Sequence, residues 1–329
     1  MLVDMDRKPA MRIHTPPQMR RVAHVLPHMI VSTIVFIVAL LAVLWFRAVL
    51  QAAPYRQTIV IAGSPTHILS VNAAKSNVTL IDIPEDTVIS AVKGYGNYSV
   101  RSLITLDGID THHGTLVTAS LSDAFGIPIS WYVAPTDSFA GNGTVDMVRR
   151  LFSWGSIGRM LIGKIDTSVP ISTWISLVWM LRFIPADAVE IVDVGPAIVP
   201  MQLPDGGSAP TLDESKLDFV LQNRLVDTGL RSENLTVAMY NTTQIASVGL
   251  RASRQLSRMG IQLVFVGNED SALSRCVITG SDAALRSKTA QFIRSYFQCE
   301  EKEERGNIGK GTGADLIVEL GSDYASQYK

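Results

Sequence analysis

The stretch from Asn77 to Ser90, NVTLIDIPEDTVIS, puts charged groups at a place where chemistry is often done. It reads as a strand, a Pro84-Glu85-Asp86-Thr87 turn and a second strand, and turns at the end of a buried strand commonly carry functional side chains. This turn offers two carboxylates, Glu85 and Asp86, with no base beside them. Three other stretches were weighed against it. Gly306 to Gly313, GNIGKGTG, has the glycines of a phosphate loop, but such a loop needs Gly-Lys followed by Ser or Thr, after a strand and before a helix. Here Gly311 follows Lys310 and a strand comes next, so the segment reads as a linker, and the preceding EEKEER as a solvated surface run. His112-His113 lack the carboxylate cluster at fixed spacing that a metal site uses, and with Asp107 and Asp110 they read as a surface loop.

The elements that position the turn are legible along the chain. Thr58 to Ala62, closed by Gly63, and Val78 to Ile83 read as buried strands, and DTVIS continues as an edge or paired strand. Val117 to Phe125 reads as a helix, Gly126 to Ala134 as a turn and strand, Met147 to Phe152 as a short helix, and Ala188 to Gly195 as a strand. Thr173 to Ile184, with an arginine inside a short apolar run, reads as a buried amphipathic helix. Val199 to Leu212 holds three prolines and a Gly-Gly and is expected to be loop. Asp213 to Leu225 is a helix capped by Thr211 or Asp213. After a composition break at Val226 to Glu233, strands at 235–241, 261–268 and 275–280 alternate with helices at 245–260 and 283–297 before a last strand near 314–324. That alternation predicts an α/β block of about 95 residues.

One segment is unlike the rest. Met29 to Phe46 is eighteen residues without a charge. As a helix it would be about 27 Å long, near the roughly 30 Å of a bilayer's hydrocarbon core. Trp45 stands at its edge, Pro27 can start it, and Arg47 can snorkel. Its basic leader is longer than that of a cleaved signal peptide, although Ala52-Ala53 leaves cleavage open. Arg7, Lys8, Arg12, Arg20 and Arg21 outweigh Asp4 and Asp6 before it, which keeps the N-terminus in the cytoplasm and the bulk of the chain outside.

Two motifs in the C-terminal block bring in a resemblance. VAMYNTTQIASVGLRASRQLSRMGIQLVFVGN and ADLIVELGSDY resemble the opening and the ending of the C-terminal domain of LytR-type proteins, over residues 234–324. The region before it resembles the LytR-CpsA-Psr domain through TIVIAGSP, through THILSVNAAKSNVTLIDIPEDTVIS and through LSDAFGIPISWYVAPTDSF. The resemblance implies transfer of polyprenyl-linked glycopolymers to a bacterial cell wall, with a lipid pyrophosphate held among arginines and a metal, magnesium or manganese, held by aspartates. Most of the groups it calls for are missing. The Gly-x-Asp aspartate falls at Pro65, the Arg-x-Asp-Thr segment has become Thr66-His67-Ile68-Leu69, and the turn arginine is Glu85. Asp86 is the matching residue that survives, and the later arginine-rich stretch has shrunk to Arg149, Arg150 and Arg159. Arginine forks suit pyrophosphate because they donate paired hydrogen bonds and stay charged, whereas a glutamate repels it.

The sequence therefore predicts an α/β protein with a cytoplasmic tail at 1–28, a transmembrane helix at 29–50, a degenerate LytR-CpsA-Psr-like domain at 55–225 and a LytR-type C-terminal domain at 233–329. No catalytic, cofactor or metal residue is assigned beyond Asp86. The expected partners are the membrane and a cell-wall polymer or polyprenyl-linked glycan. A non-catalytic binding or scaffolding role stands first and a metal-dependent phosphotransferase second. A net charge of −1, with no helix-turn-helix pattern and no basic face, excludes nucleic acid as a partner. The five Asn-x-Ser/Thr sites, at Asn77, Asn97, Asn142, Asn234 and Asn241, read as chance in a chain of bacterial resemblance. Cys276 falls on a predicted strand and Cys299 just past the next helix; an outside location permits a disulfide, and a buried pair of free thiols is equally open. A periplasm-only reporter fused after Lys329 is expected to give signal and a cytoplasm-only reporter none; cytoplasmic signal would remove the outside assignment.

Overall fold

A computed structural model describes residues 31–40, 43, 55–72, 77–110, 112–135, 144–202, 206–303 and 311–328. The chain divides into two units, Met1–Gln51 and Ala52–Lys329. In the first, residues 31–40 are helical with exposed side chains. Half of the expected span at 29–50 lies outside the described residues, and among those described no helix is long and apolar enough to cross a membrane. The GNIGKGTG segment likewise lies mostly outside them.

In the second unit the path runs β1 (Gln57–Ile61), β2 (Thr66–Asn72), β3 (Asn77–Ile83), β4 (Val88–Ala91), β5 (Gly96–Ser99), α1 (Val100–Ile109), α2 (Thr115–Phe125) and β6 (Trp131–Pro135). It continues through α3 (Thr144–Leu151), α4 (Trp154–Leu161), β7 (Ile165–Thr167), α5 (Ile171–Phe183), β8 (Val189–Asp193), β9 (Ile198–Gln202), β10 (Ser208–Leu212) and α6 (Glu214–Leu221). The six-stranded sheet has the order β7-β6-β1-β2-β3-β8. Its central strands are apolar on both faces because both are covered, which is why TIVIA reads as a continuous run rather than an alternation. On one face Val60, Ile68 and Ile81 pack with Leu103, Leu116, Leu121 and Phe125 from α1 and α2. On the other Ile59, Leu69 and Leu80 pack with Leu151, Phe152, Trp174, Leu177 and Leu181 from the α3–α5 layer.

Residues 198–202 and 208–212 correct the expectation of a loop. They form the antiparallel hairpin β9–β10, with Pro210 opposite Pro200, in a four-stranded sheet of order β5-β4-β10-β9. A proline has no N–H to give a ladder. Pro200 is tolerated on the edge strand β9, and Pro210 because β10 meets β4 at the single pair Thr211–Val88. Residues 100–109, not foreseen as a helix, are α1, and Asp107 within it is a buried helix residue rather than a loop residue. Its carboxylate accepts the N–H groups of Gly114 at 2.6 Å, Leu116 at 2.9 Å and Val117 at 3.2 Å, and so caps α2. Helix α5 is where Thr173 to Ile184 was expected, with Trp174, Leu177, Val178 and Leu181 buried, but its outward side mixes the exposed Ile171, Trp179 and Phe183 with Ser172, Ser176 and Arg182.

Asp213 is the cap of α6, accepting Lys216 N–H at 3.0 Å. The break at 226–233 contains a short helix, α7 (Thr228–Glu233). Then come β11 (Thr236–Asn241), α8 (Val248–Arg258), β12 (Gln262–Asn268), β13 (Val277–Gly280), α9 (Asp282–Leu285), α10 (Lys288–Phe297), β14 (Glu300–Glu303), β15 (Leu316–Leu320) and α11 (Ser322–Ala325). The third sheet has the order β12-β11-β15-β13-β14. The alternation foreseen after residue 234 is present, with the helix at 283–297 broken into α9 and α10. The acidic run at 300–303 is both exposed and a strand.

Two sets of contacts tie this block to the first. Asp227 accepts Arg56 N–H at 2.5 Å, Gly229 N–H at 2.8 Å and Leu230 N–H at 3.2 Å, and so caps α7 while holding the entry to β1. Along α8, Arg251 pairs with Asp123 of α2, and Arg254 (2.8 Å) and Arg258 pair with Asp218 of α6. Burial works to raise the Asp218 carboxyl, but the bonds and charges of Arg254 and Arg258 outweigh it and hold the group below its usual range. Gly126 ends α2 at φ +60°, and a Cβ there would come within 2.8 Å of Arg254, so both the left-handed backbone and the close approach require glycine.

Cys276 and Cys299 are joined in a disulfide, which settles the alternative left open by their spacing. It links the chain just before β13 to the chain just before β14, where Glu300 N–H also donates to the Cys276 carbonyl at 2.8 Å. A loop closed across a sequence separation of 23 is stabilised by about 3 kcal/mol on the chain-entropy account. Denaturant titration of the purified chain with and without reductant is expected to show a loss of that size, and non-reducing mass spectrometry to recover the linked peptides.

Candidate functional site

The Glu85–Asp86 turn sits where three elements meet. Strand β3 ends at Ile83, which pairs with Thr66 of β2. Thr87 N–H closes the turn on the Pro84 carbonyl at 3.0 Å. The first residues of α1 then dock back on it: Val100 N–H donates to Thr87 O at 3.0 Å and Arg101 N–H to Glu85 O at 3.1 Å. Thr87 is buried, Glu85 half-buried, and Pro84 and Asp86 exposed.

The two carboxylates have different surroundings. Glu85 accepts from Arg101 Nε at 2.6 Å and from its Nη2, a forked ion pair. A hydrogen bond from Ser64 and the bonds and charge of Arg101 hold the Glu85 carboxyl below its ordinary value against a smaller opposing push from burial. Asp86 has no hydrogen bond or ion pair among the described residues. Arg149, Arg150 and Arg159 do not ion-pair with it; Arg149 instead donates to the Ile184 carbonyl at 2.7 Å, at the end of α5. The arginine at this turn is Arg101, which sequence reasoning missed because α1 was not foreseen. Its fork is spent on Glu85.

A second polar pair lies at the same end of the sheet. His67 and Asp82 face each other across β2 and β3, with Nδ1 to Oδ1 at 2.6 Å. His67 is buried, while Asp82 is partly open and in register with Asp193 of β8. Asp193 is turned to its own backbone, accepting Gly195 N–H at 2.8 Å. The His67 Nε2 has no hydrogen-bond partner among the described residues. An imidazole oriented by a carboxylate, with its other nitrogen free, has the arrangement of a general base. Period-2 counting along both strands is the signal that finds this pair, because it puts both side chains on one face once the register is known.

Among the described residues no group of three or more His, Cys, Asp or Glu side chains comes together to hold a metal. His112 takes part in a surface cluster, its Nε2 3.2 Å from the Tyr95 hydroxyl, which donates to Asp110 at 2.9 Å. The apolar interior beneath β2 and β3 is filled. A cavity of about 10 Å³ remains between Leu69, Val78, Leu80, Val148 and Leu181, roughly the room one water needs.

No protein-family model matches the chain, and no curated protein does. Among solved structures it is similar to a protein from Bacillus subtilis described as the transcriptional regulator yvhJ, with 10% identity and a TM-score of 0.39 over 51% of this chain and 94% of that one. It is similar to B. subtilis TagV, with 10% identity and a TM-score of 0.38 over 51% and 95%. A LytR-CPS2A-psr family protein, YwtF (TagT), solved with bound octaprenyl pyrophosphate lipid, shares 12% identity and a TM-score of 0.35 over 51% and 89%. Likeness of this degree assigns the chain to no family.

The Glu85 carboxyl provides a pH signature. Its folded-state value is depressed, so the stability it contributes is complete above the unfolded glutamate value of about 4.3 and is lost as pH falls through the lower folded value. The acid limb of the stability curve is expected to lose this component in the Ser64→Ala, Arg101→Ala double variant. An unchanged acid limb would show that Glu85 is not held this way.

Proposed function

We propose that this chain is a membrane-anchored, extracytoplasmic envelope protein that binds or scaffolds in cell-wall assembly without transferring a glycopolymer. The reading rests on the sequence resemblance for its setting: tail 1–28, membrane helix 29–50, and two domains at 55–225 and 233–329. The observation that carries the non-catalytic part is at the turn. The position expected to hold a phosphate-binding arginine is a glutamate, its charge is cancelled by Arg101, and Asp86 beside it has no cation partner among the described residues.

The magnitude supports the loss. A pyrophosphate at neutral pH needs cations or a metal to leave water. At an effective dielectric near 20, unit charges about 4 Å apart attract by roughly 4 kcal/mol. The Glu85–Arg101 pair is neutral as a unit, so it repels a pyrophosphate less than a bare glutamate would, but that attraction is still absent. Half of it, about 2 kcal/mol, is more than tenfold in affinity. Between Leu69, Leu80 and Leu181 the described cavity is about 10 Å³, room for about one water rather than a lipid tail.

A phosphotransferase remains the second reading, favoured by one observation: His67, oriented by Asp82, stands at the same end of the sheet as Asp86. Its ligand would be a polyprenyl-linked glycan with magnesium or manganese. The purified chain, given a polyprenyl-pyrophosphate donor with either metal, is expected to show neither transfer nor hydrolysis, and Glu85→Arg is expected not to restore it. In the same preparation the chain is expected to co-sediment with isolated cell-wall sacculi. Turnover abolished by Asp86→Ala or His67→Ala would replace the first reading with the second.

A further inference from the structure

The outer face of the α3–α5 layer gathers exposed apolar side chains among the described residues. Helix α5 carries apolar residues beyond its buried face. Its inner face fills the core, while Ile171, Ile175, Trp179 and Phe183, four residues apart along the helix, form an outward stripe about 18 Å long. Phe183 is 64% exposed and Trp179 is 39% exposed, with their rings 5.1 Å apart, edge to face. Next to it, α4 presents Trp154 and, two turns on, Leu161 and then Ile162, the last two 70% and 69% exposed. The helices are tied together by Trp174 Nε1 donating to Ser156 Oγ at 3.3 Å. Trp154 and Phe183 line one open depression of about 660 Å³, with Arg149 and Arg182 in its wall. Water-exposed tryptophan, phenylalanine, leucine and isoleucine on one face exceed what a surface carries by chance and mark an interaction site.

The charge around the face selects its occupant. From Thr144 to Ala188 the sequence has Arg149, Arg150, Arg159, Lys164 and Arg182 against Asp146, Asp166 and Asp187, and from α4 to the end of α5 Arg159, Lys164 and Arg182 stand against Asp166 alone. Arg159 stands on α4 between Trp154 and Leu161, Lys164 follows Ile162, and Arg182 adjoins Phe183. Apolar and indole side chains interleaved with long cationic ones fit the boundary between acyl chains and anionic headgroups. There the rings sit at headgroup level, and the cations reach phosphate while their stems lie along the apolar layer. A protein partner of matching shape would need an acidic rim around an apolar centre, whereas a bilayer provides both over any extent. We propose that the outer face of α4 and α5 docks on the surface of an anionic lipid bilayer, with Trp154, Leu161, Ile162, Trp179 and Phe183 entering the interfacial layer.

The docking goes beyond the envelope role and does not need it, since its readout is lipid proximity rather than turnover or wall binding. Among the described residues both cysteines are in the disulfide, so an introduced cysteine can be labelled alone. The full chain carrying Leu161→Cys, Phe183→Cys or, as a control on the exposed side of α6, Phe219→Cys is labelled with an environment-sensitive fluorophore. It is then reconstituted in vesicles of phosphatidylglycerol and phosphatidylcholine, or of phosphatidylcholine alone, each containing doxyl-labelled lipid. Quenching at positions 161 and 183 is expected to be at least twofold greater than at 219 in the anionic vesicles, and to fall toward the control value in the zwitterionic ones and in 0.5 M salt. Equal quenching at all three positions, quenching that does not distinguish the two lipids, or labels at 161 and 183 shielded from both lipid and water by a second copy of the chain would each overturn the assignment. The two reporters are on different helices, so misfolding of one variant leaves the other to decide.

Discussion

A carboxylate with 1% of its surface in water must find donors or cost several kcal/mol, and Asp227 finds three, all of them backbone N–H groups. Two start α7 and the third belongs to Arg56, the residue before β1, so one side chain fixes where the first sheet begins and where the second block is joined to it. The Arg56 side chain runs the other way. Its guanidinium is buried against Ser70, Asn77 and Thr79 at 3.2 Å each, across β2 and β3. Burial pushes its pKa down to about 10, which still leaves it charged at neutral pH. The strands carrying His67, Asp82 and the turn are thus pinned at the end opposite the candidate site, and a slip of one residue there would turn every side chain of the site to the other face.

The candidate site contains much of what a reactive centre needs, but apart from Asp86 its polar groups pair with one another. The Arg101 fork meets Glu85, and Asp82 meets His67. Such internal pairing is what a fold does with polar groups it must keep at the rim of a sheet when no ligand neutralises them. A ligand that displaced Glu85 from Arg101 would have to replace a forked, charge-assisted contact before gaining anything. Exposed Asp86 faces no such barrier, but it offers an anionic ligand nothing favourable.

Local pattern made much of the architecture readable. Helix α5 overlaps the expected 173–184, Asp213 caps α6, and the strand–helix alternation after residue 234 reappears nearly in place. The failures were non-local. The prolines at 200 and 210 read as loop because the sequence does not say that β9 is an edge and that β10 touches β4 at one pair. Asp107 read as loop because its role is to cap a helix seven to ten residues ahead. At the site, Asp86 and Glu85 were legible as residues, but Arg101 reaches the turn from a helix sixteen residues on, and His67 meets Asp82 only through sheet register. Chemistry that depends on two strands being side by side cannot be seen in either strand alone.

Strand β14 adds nothing to the core. All four of its side chains, Glu300, Glu301, Lys302 and Glu303, are exposed, and it is held by its parallel ladder to β13 and by the disulfide one residue before it. Its place in the third sheet is at the margin, where an uncovered strand would offer its open N–H and C=O groups to any passing chain. Three carboxylates in four residues make that margin a poor template for another molecule of the same kind, since a second copy arriving in register would bring its own acids against these. Behind it β13 keeps Ile278, Thr279 and Gly280 buried. The third sheet therefore ends in charge, and its disulfide fastens that charged margin in place.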